Sequence, residues 1–216
     1  MLVKDIMTRH PLLAEPDWSI VEAQRYMSEA SLRHLPVVGD GKRLLGLLTR
    51  ESLMLDSARL GNIDVWEITR YLSGIAVSEV MVPGKDVITT SPDVPIEDAA
   101  RVLVENRIGS LPVIEDGRVV GIITEDDLLR QLTRMLSVDV PGVRVTIRMP
   151  NKRGELAKLV AAVAAQGWGF AALGGVPSEE EPGMWDAVVK LRRPREEVLP
   201  ALEAIEGQRV IDVREM

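Results

Sequence analysis

Short apolar runs and amphipathic stretches follow one another along this chain, and they do so twice in the same order. Ile20, Ala23, Met27 and Ala30 are spaced as one helical face, and so are Ile96, Ala99, Leu103 and Val104. A short apolar run precedes each stretch, Leu12-Leu13 or Val87-Ile88-Thr89. Each run ends in a Pro-Asp turn, Pro16-Asp17 or Pro92-Asp93. Two β-type runs follow: Leu35 to Val38 and Leu44 to Leu48, then Leu111 to Ile114 and Val119 to Ile123. Asp40-Gly41 and Asp116-Gly117 are their hairpin turns. A further helix is expected just after Thr49 and just after Thr124. The unit is β-α-β-β-α.

The two copies also agree residue by residue. Val3-Lys4-Asp5-Ile6-Met7 returns as Val77-Ser78-Glu79-Val80-Met81. Leu35-Pro36-Val37-Val38 returns as Leu111-Pro112-Val113-Ile114, and Gly46-Leu47-Leu48-Thr49 as Gly121-Ile122-Ile123-Thr124. Order is kept and spacing shifts by one or two residues, the signature of an internal repeat. The first copy spans 1–56, a linking helix containing Val65-Trp66-Glu67-Ile68 spans 57–76, and the second copy spans 77–135.

Val140-Pro141-Gly142 breaks the helical pattern. Residues 140–216 then read β-α-β-β-α-β, a ferredoxin-like split. Val143 to Met149 alternates as a half-buried strand, and Leu156, Leu159, Val160 and Val163 form a helical face. Gly167 to Leu173 and Trp185 to Leu191 are expected strands around a hairpin tip at Ser178 to Pro182. Pro194 to Ile205 reads as helix and Val210 to Val213 as the last strand. The Glu179-Glu180-Glu181 run reads as a solvated loop, and Trp66, Trp168 and Trp185 as packing anchors. The fold class is α+β.

Composition narrows the functions available. The formal net charge of −7 argues against a nucleic-acid partner, which calls for a basic stripe. No apolar window is long enough to span a bilayer, and Met1 to His10 lacks the apolar core of a signal peptide, so the expected location is cytoplasmic. With no cysteine and two histidines, His10 and His34, neither a metal site nor a disulfide is expected. No Gly-x-Ser-x-Gly elbow and no phosphate-binding Gly-x-x-x-x-Gly-Lys loop is present, so nothing nominates a catalytic centre.

Thr124-Glu125-Asp126-Asp127 opens a helix directly after a strand. Two readings of it stay open. Thr124 and Asp127 have the spacing of a capping box. Equally, helix N–H groups attract phosphate, the Thr124 hydroxyl can donate to it, and the Asp127 carboxylate can accept from both hydroxyls of a ribose.

The opening Met, the Leu-Pro-Val-Val type strand, the Gly-x-x-Thr-x-x-Asp ending and the tandem pairing resemble CBS domains over residues 1 to 135. The resemblance implies a pseudo-twofold pair with two clefts that take AMP, ATP or another adenosyl compound, in a regulatory protein that is not an enzyme and requires no cofactor. It also implies how each cleft is assembled. The Thr124–Asp127 turn would join Thr8, Leu12, Leu32, Arg33 and His34, with Arg33 and His34 able to meet phosphate. The other cleft would join Thr49 and Ser52 to Val82, Asp86, Ile108 and Gly109. That cleft is expected to be weaker, because Ser52 replaces the ribose-clamping carboxylate and Asp86 repels phosphate. The loop Asn151-Lys152-Arg153-Gly154 resembles the strand-to-helix turn of ACT domains, which implies amino-acid sensing with Asn151 and Gly154 as candidate contacts. The whole order is similar to proteins of the acetoin-utilisation protein B type. Exposed apolar helix faces and an open sheet edge point to a homodimer.

Overall fold

The computed structural model describes residues 1–53 and 72–216. The chain forms two compact units, Met1–Leu128 and Leu129–Met216. Most of the linking helix expected over 57–76, including Trp66, lies outside the described residues. Of the helix expected after Thr49, only a 3-10 turn at Glu51–Leu53 lies within them.

In the first unit each copy supplies a helix and a hairpin. Helix α2 (Ile20–Glu29) precedes β2 (His34–Gly39) and β3 (Arg43–Thr49). Helix α4 (Ile96–Asn106) precedes β5 (Ser110–Glu115) and β6 (Arg118–Thr124). The expected inward faces are buried at Ile20, Ala23 and Met27, and at Ile96, Ala99 and Leu103. Val104, expected on the inner face, is 76% exposed. It follows Leu103 directly, and one residue of helix rotates a side chain about 100° away from the core.

The openings of the two copies are exchanged. Helix α1 (Val3–Ile6) and β1 (Thr8–Arg9) lie on the second copy, and α3 (Val77–Val80) and β4 (Val82–Pro83) lie on the first. The two sheets run β1-β6-β5 and β2-β3-β4. Thr8 pairs with Ile122 and Val82 with Leu47. Val3 N–H donates to Val94 O, and Val77 N–H to Trp18 O, each at 2.8 Å. Val3 is fully buried among Leu103, Leu111, Val113 and Ile123, while Val77 is fully buried among Met27, Leu35, Val37 and Leu48. Each core is therefore completed by the other copy's first residues. Glycine permits the closest approach. A Cβ on Gly121 would stand 2.5 Å from Met7 Sδ, and one on Gly46 would collide with Met81 Sδ.

The expected apolar runs at Leu12-Leu13 and Val87-Ile88-Thr89 are not strands. Each contributes one parallel bridge just downstream, Ala14 to Val37 and Thr90 to Val113.

The second unit contains the C-terminal half of α5 (Glu125–Met135) and then a βαββαβ arrangement. Strand β7 (Val143–Pro150) leads to α6 (Glu155–Ala165), β8 (Phe170–Pro177), β9 (Met184–Leu191), α7 (Arg195–Glu203) and β10 (Arg209–Glu215). All neighbours in the sheet β10-β7-β9-β8 are antiparallel. The second expected strand of this unit starts at Phe170 instead of Gly167. Gly167 has φ of 70° and ends the preceding helix, and pairing with Leu191 first becomes available at Phe170. Trp168 and Trp185 pack on the core formed by Val145, Ile147, Leu159 and Val189.

The acidic run at 179–181 is not simply solvated. Arg148 on β7 is 4% exposed. Its guanidinium donates to both Asp186 carboxylate oxygens at 2.7 Å, to Glu181 at 2.8 Å and to Glu180 at 2.9 Å. A buried guanidinium needs every one of those acceptors. These bonds hold the Asp186 and Glu181 carboxyls below their ordinary values and raise Arg148 further.

Candidate functional site

Both copies deliver the chain to the boundary between them by the same device. The turn after α2 carries Ser31 and the turn after α4 carries Arg107, each with a φ of 54°. Leu32 N–H then returns to Met27 O at 2.8 Å, and Ile108 N–H to Leu103 O at 3.1 Å. This helix-ending bond pattern satisfies carbonyls that the helix leaves free. It tucks Leu32 and Ile108 against their own cores and sets the next residues, Arg33-His34 and Gly109-Ser110, at the starts of β2 and β5.

A cavity of about 470 Å³ lies between the copies. One wall is apolar: Leu47, Val82, Val87, Ile88 and Ile108. The Thr49 hydroxyl sits at its strand end, and Arg33, Arg50 and Arg107 stand beside Glu51, Asp86 and Glu125. Ser110 also lines it. This serine is 2% exposed, and its buried hydroxyl has no hydrogen-bond partner among the described residues. A buried unpaired hydroxyl is costly, on the order of 1–3 kcal/mol.

This is the cleft expected on Thr49, Ser52, Val82, Asp86, Ile108 and Gly109, and all but Ser52 line it. Ser52 turns inward to Thr49, Oγ to Oγ1 at 3.1 Å, and its N–H caps on the same Thr49 oxygen at 3.1 Å. Arg33 and His34, expected beside Thr124 and Asp127, also line this cavity. Gly109 makes room for His34. Its missing side chain admits the imidazole, whose Cε1 would stand 2.8 Å from a Cβ there. Burial holds the His34 imidazole below its ordinary value, against the pull of Glu51, Glu125 and Asp126; Arg33 adds to the lowering. Arg33 reaches across to Asp126 at 2.7 Å. Arg50 and Arg107 form no ion pair among the described residues.

On the other side, Thr124 and Asp127 form the capping box. Asp127 Oδ2 accepts from Thr124 N–H at 2.9 Å and from Thr124 Oγ1 at 2.7 Å, and Asp127 N–H returns to Thr124 Oγ1 at 3.3 Å. Oδ1 remains free among the described residues. Thr8 lies on the neighbouring strand, paired with Ile122, and Leu12 is exposed. Leu32 belongs to the first copy's core and does not join them.

Asn151 and Gly154 are exposed in the loop before α6. Asn151 N–H donates to Gly183 O at 2.9 Å, and Gly154 begins the helix with φ of 92°. Behind them Glu155 is buried. Its backbone carbonyl accepts from Gln208 Nε2 at 2.6 Å, and its carboxyl is held below the ordinary value chiefly by the Lys158 ammonium at 3.0 Å. Among the described residues no group of His, Asp or Glu could hold a metal ion, and no helix is long and apolar enough to cross a membrane.

Sequence reasoning missed Ser110, Arg107 and Arg50. For Ser110 a signal existed: the repeat alignment places it opposite His34.

The family model for the CBS domain matches residues 3–58 and 77–134. The CBS domain pair of protein MJ0100, in complex with 5′-methylthioadenosine and S-adenosyl-L-methionine, is 29% identical with a TM-score of 0.50. That match covers 61% of this chain and 95% of that one. A Vibrio cholerae chain described as an acetoin utilization protein (AcuB) is 28% identical with a TM-score of 0.53, covering 64% and 95%. CBSX2 in complex with AMP is 26% identical with a TM-score of 0.53, covering 62% and 97%. Two curated relatives match at 31% and 35% identity, and the matched region spans 23% of the length of each.

Proposed function

The chain belongs to the CBS domain family, and from that membership and the cavity between its copies we propose a ligand-sensing regulatory protein that binds an adenosyl compound and performs no catalysis. The observation that carries this reading is the cavity of about 470 Å³ with the Ser110 hydroxyl, unpartnered among the described residues, buried in its wall. The apolar wall suits an adenine ring. Thr49 and Ser110 offer hydroxyls to the sugar, and Arg50 and Arg107, without an ion pair among the described residues, offset the repulsion of Asp86 toward a phosphate or carboxylate. The solved relatives with AMP or with S-adenosyl-L-methionine and 5′-methylthioadenosine support the ligand class. The free Asp127 Oδ1 makes the Thr124–Asp127 turn a second position for a ribose.

The protein acts as a homodimer in the cytoplasm. Leu129, Leu132 and Met135 on α5 are 60%, 50% and 60% exposed, which favours self-association. The βαββαβ arrangement supports an ACT-type domain, with the Asn151–Gly154 loop as its amino-acid contact.

Thermal unfolding with AMP, ATP, S-adenosyl-L-methionine and 5′-methylthioadenosine tests the proposal. A ligand at a hundred times its Kd adds about 2.7 kcal/mol of stability. Ser110→Ala and Thr49→Ala should shrink the shift. No shift with any of the four compounds would sink the reading.

A further inference from the structure

The second unit has a cavity of its own, about 400 Å³, between the turn after α6 and the turn after β9. Both turns lie at the end of the sheet opposite the Asn151–Gly154 loop, because β7 and β8 run parallel to each other and antiparallel to β9. We propose that this cavity binds a small anion that carries a planar ring.

Four observations converge on it. Arg192 and Arg193 line the cavity, are exposed, and make no ion pair or side-chain hydrogen bond among the described residues. The four arginines on this unit's sheet, Arg144, Arg148, Arg209 and Arg214, are all held by carboxylates. Trp168 and Phe170 are half-buried, pack on the core and also line the cavity. Gly169 belongs to no strand ladder, and its N–H donates to no backbone carbonyl among the described residues. Side-chain positions at Gly167 and Gly169 are open: a Cβ there would meet none of the described residues within 4 Å.

The chemistry follows from what is present. Two guanidinium forks and a free N–H match the oxygens of a phosphate or carboxylate. Indole and phenyl faces accept a flat ring, as do guanidinium planes. Among the described residues no Asp or Glu lines the cavity. An ammonium would lack a partner there, so an amino-acid zwitterion is disfavoured. The volume lies in the range of small-ligand pockets, roughly 300–1,000 Å³.

The test uses the full chain and the fluorescence of Trp168, identified by its loss in Trp168→Phe. Phenyl phosphate and benzoate probe the two anion types. Inorganic phosphate, acetate, phenol and phenylalanine probe the ring and the charge separately. At least one ring-bearing anion should give a saturable change. Arg192→Gln with Arg193→Gln should weaken it about tenfold or more, with an unchanged far-ultraviolet circular dichroism spectrum because both residues are exposed. Added salt should weaken it as well. Any of three results overturns the proposal: no saturable change with either ring-bearing anion, an affinity untouched by the double substitution, or equal binding of the ringless anions or phenylalanine.

Discussion

Exchange of the opening segments makes a quantitative demand at Gly121. A methyl group there stands 2.5 Å from Met7 Sδ, 3.2 Å from Met7 Cγ and 3.1 Å from Thr8 O. Ordinary contacts begin about 1 Å further out, so Gly121→Ala overpacks the junction at a cost of about 1–3 kcal/mol. Loss of backbone freedom in the unfolded chain returns about 0.4–1 kcal/mol, leaving roughly 1–2 kcal/mol of net destabilisation. Met7→Ala alone costs about 2 kcal/mol, the low end for a methionine truncation because the residue is only half-buried. In the double variant the clash vanishes with the methionine. The two effects should then fall short of their sum by about 1 kcal/mol. Gly46 provides the contrast. A methyl there meets the Val82 carbonyl oxygen at 2.6 Å as well as Met81, and a backbone atom of β4 cannot swing aside. Met81→Ala should therefore rescue Gly46→Ala much less. Urea unfolding of the six proteins and the parent measures all of this, with free-energy differences taken at constant slope. Additivity within about 0.5 kcal/mol at Met7 and Gly121, or equal rescue at both sites, would refute the exchanged packing.

Three further outcomes follow from buried polar groups. Lys190 is 2% exposed and its ammonium donates to Ser137 O at 2.8 Å and Val138 O at 3.3 Å; Lys190→Met should cost about 1.5–3 kcal/mol and speed amide exchange around residue 140. Arg148 holds the Asp186 and Glu181 carboxyls below their ordinary values. The stability this confers is fully present above about pH 4 and is lost as pH falls through the lowered values, and Arg148→Met should flatten that acid limb in a pH series of urea midpoints. His34 is held low by burial, so its neutral form stabilises the fold above about pH 6.5. That stability is lost as pH drops through the lowered value, and a His34→Gln protein that keeps the same pH dependence in that window would contradict it.

The parts of the fold legible in the sequence are those written locally. Helical spacing at Ile20, Ala23 and Met27, the Asp116-Gly117 turn and the repeated Leu-Pro-Val strand specify their elements within a few residues of themselves. The exchange carries no local signal, since β1 and β4 are two residues long and pair outside their own copy; only the resemblance, which joined Thr8 to Thr124 and Val82 to Thr49, pointed to it. Arg148 follows the burial rule only through its partners. It occupies a polar position of β7 by alternation, yet it is buried because Asp186 and the tip of the β8–β9 hairpin close over it. In the candidate site, Thr49, Val82, Asp86, Ile108 and Gly109 were reachable by matching one copy to the other. Arg33 and His34, joined by the resemblance to Thr124 and Asp127, line the cavity on the Thr49 side, while Arg33 also reaches Asp126 of the Thr124–Asp127 turn. Arg107 carries no local signal, for its place depends on a left-handed helix end.

The most direct test of the central claim is a methyl-labelled nuclear magnetic resonance titration of the full chain with S-adenosyl-L-methionine and with AMP. Saturable shifts at Val82, Val87, Ile88 and Ile108, with the Val145 and Ile147 methyls of the second unit unmoved, are the predicted result. Shifts that avoid those four residues, or none with either compound, would contradict an adenosyl site built from both copies.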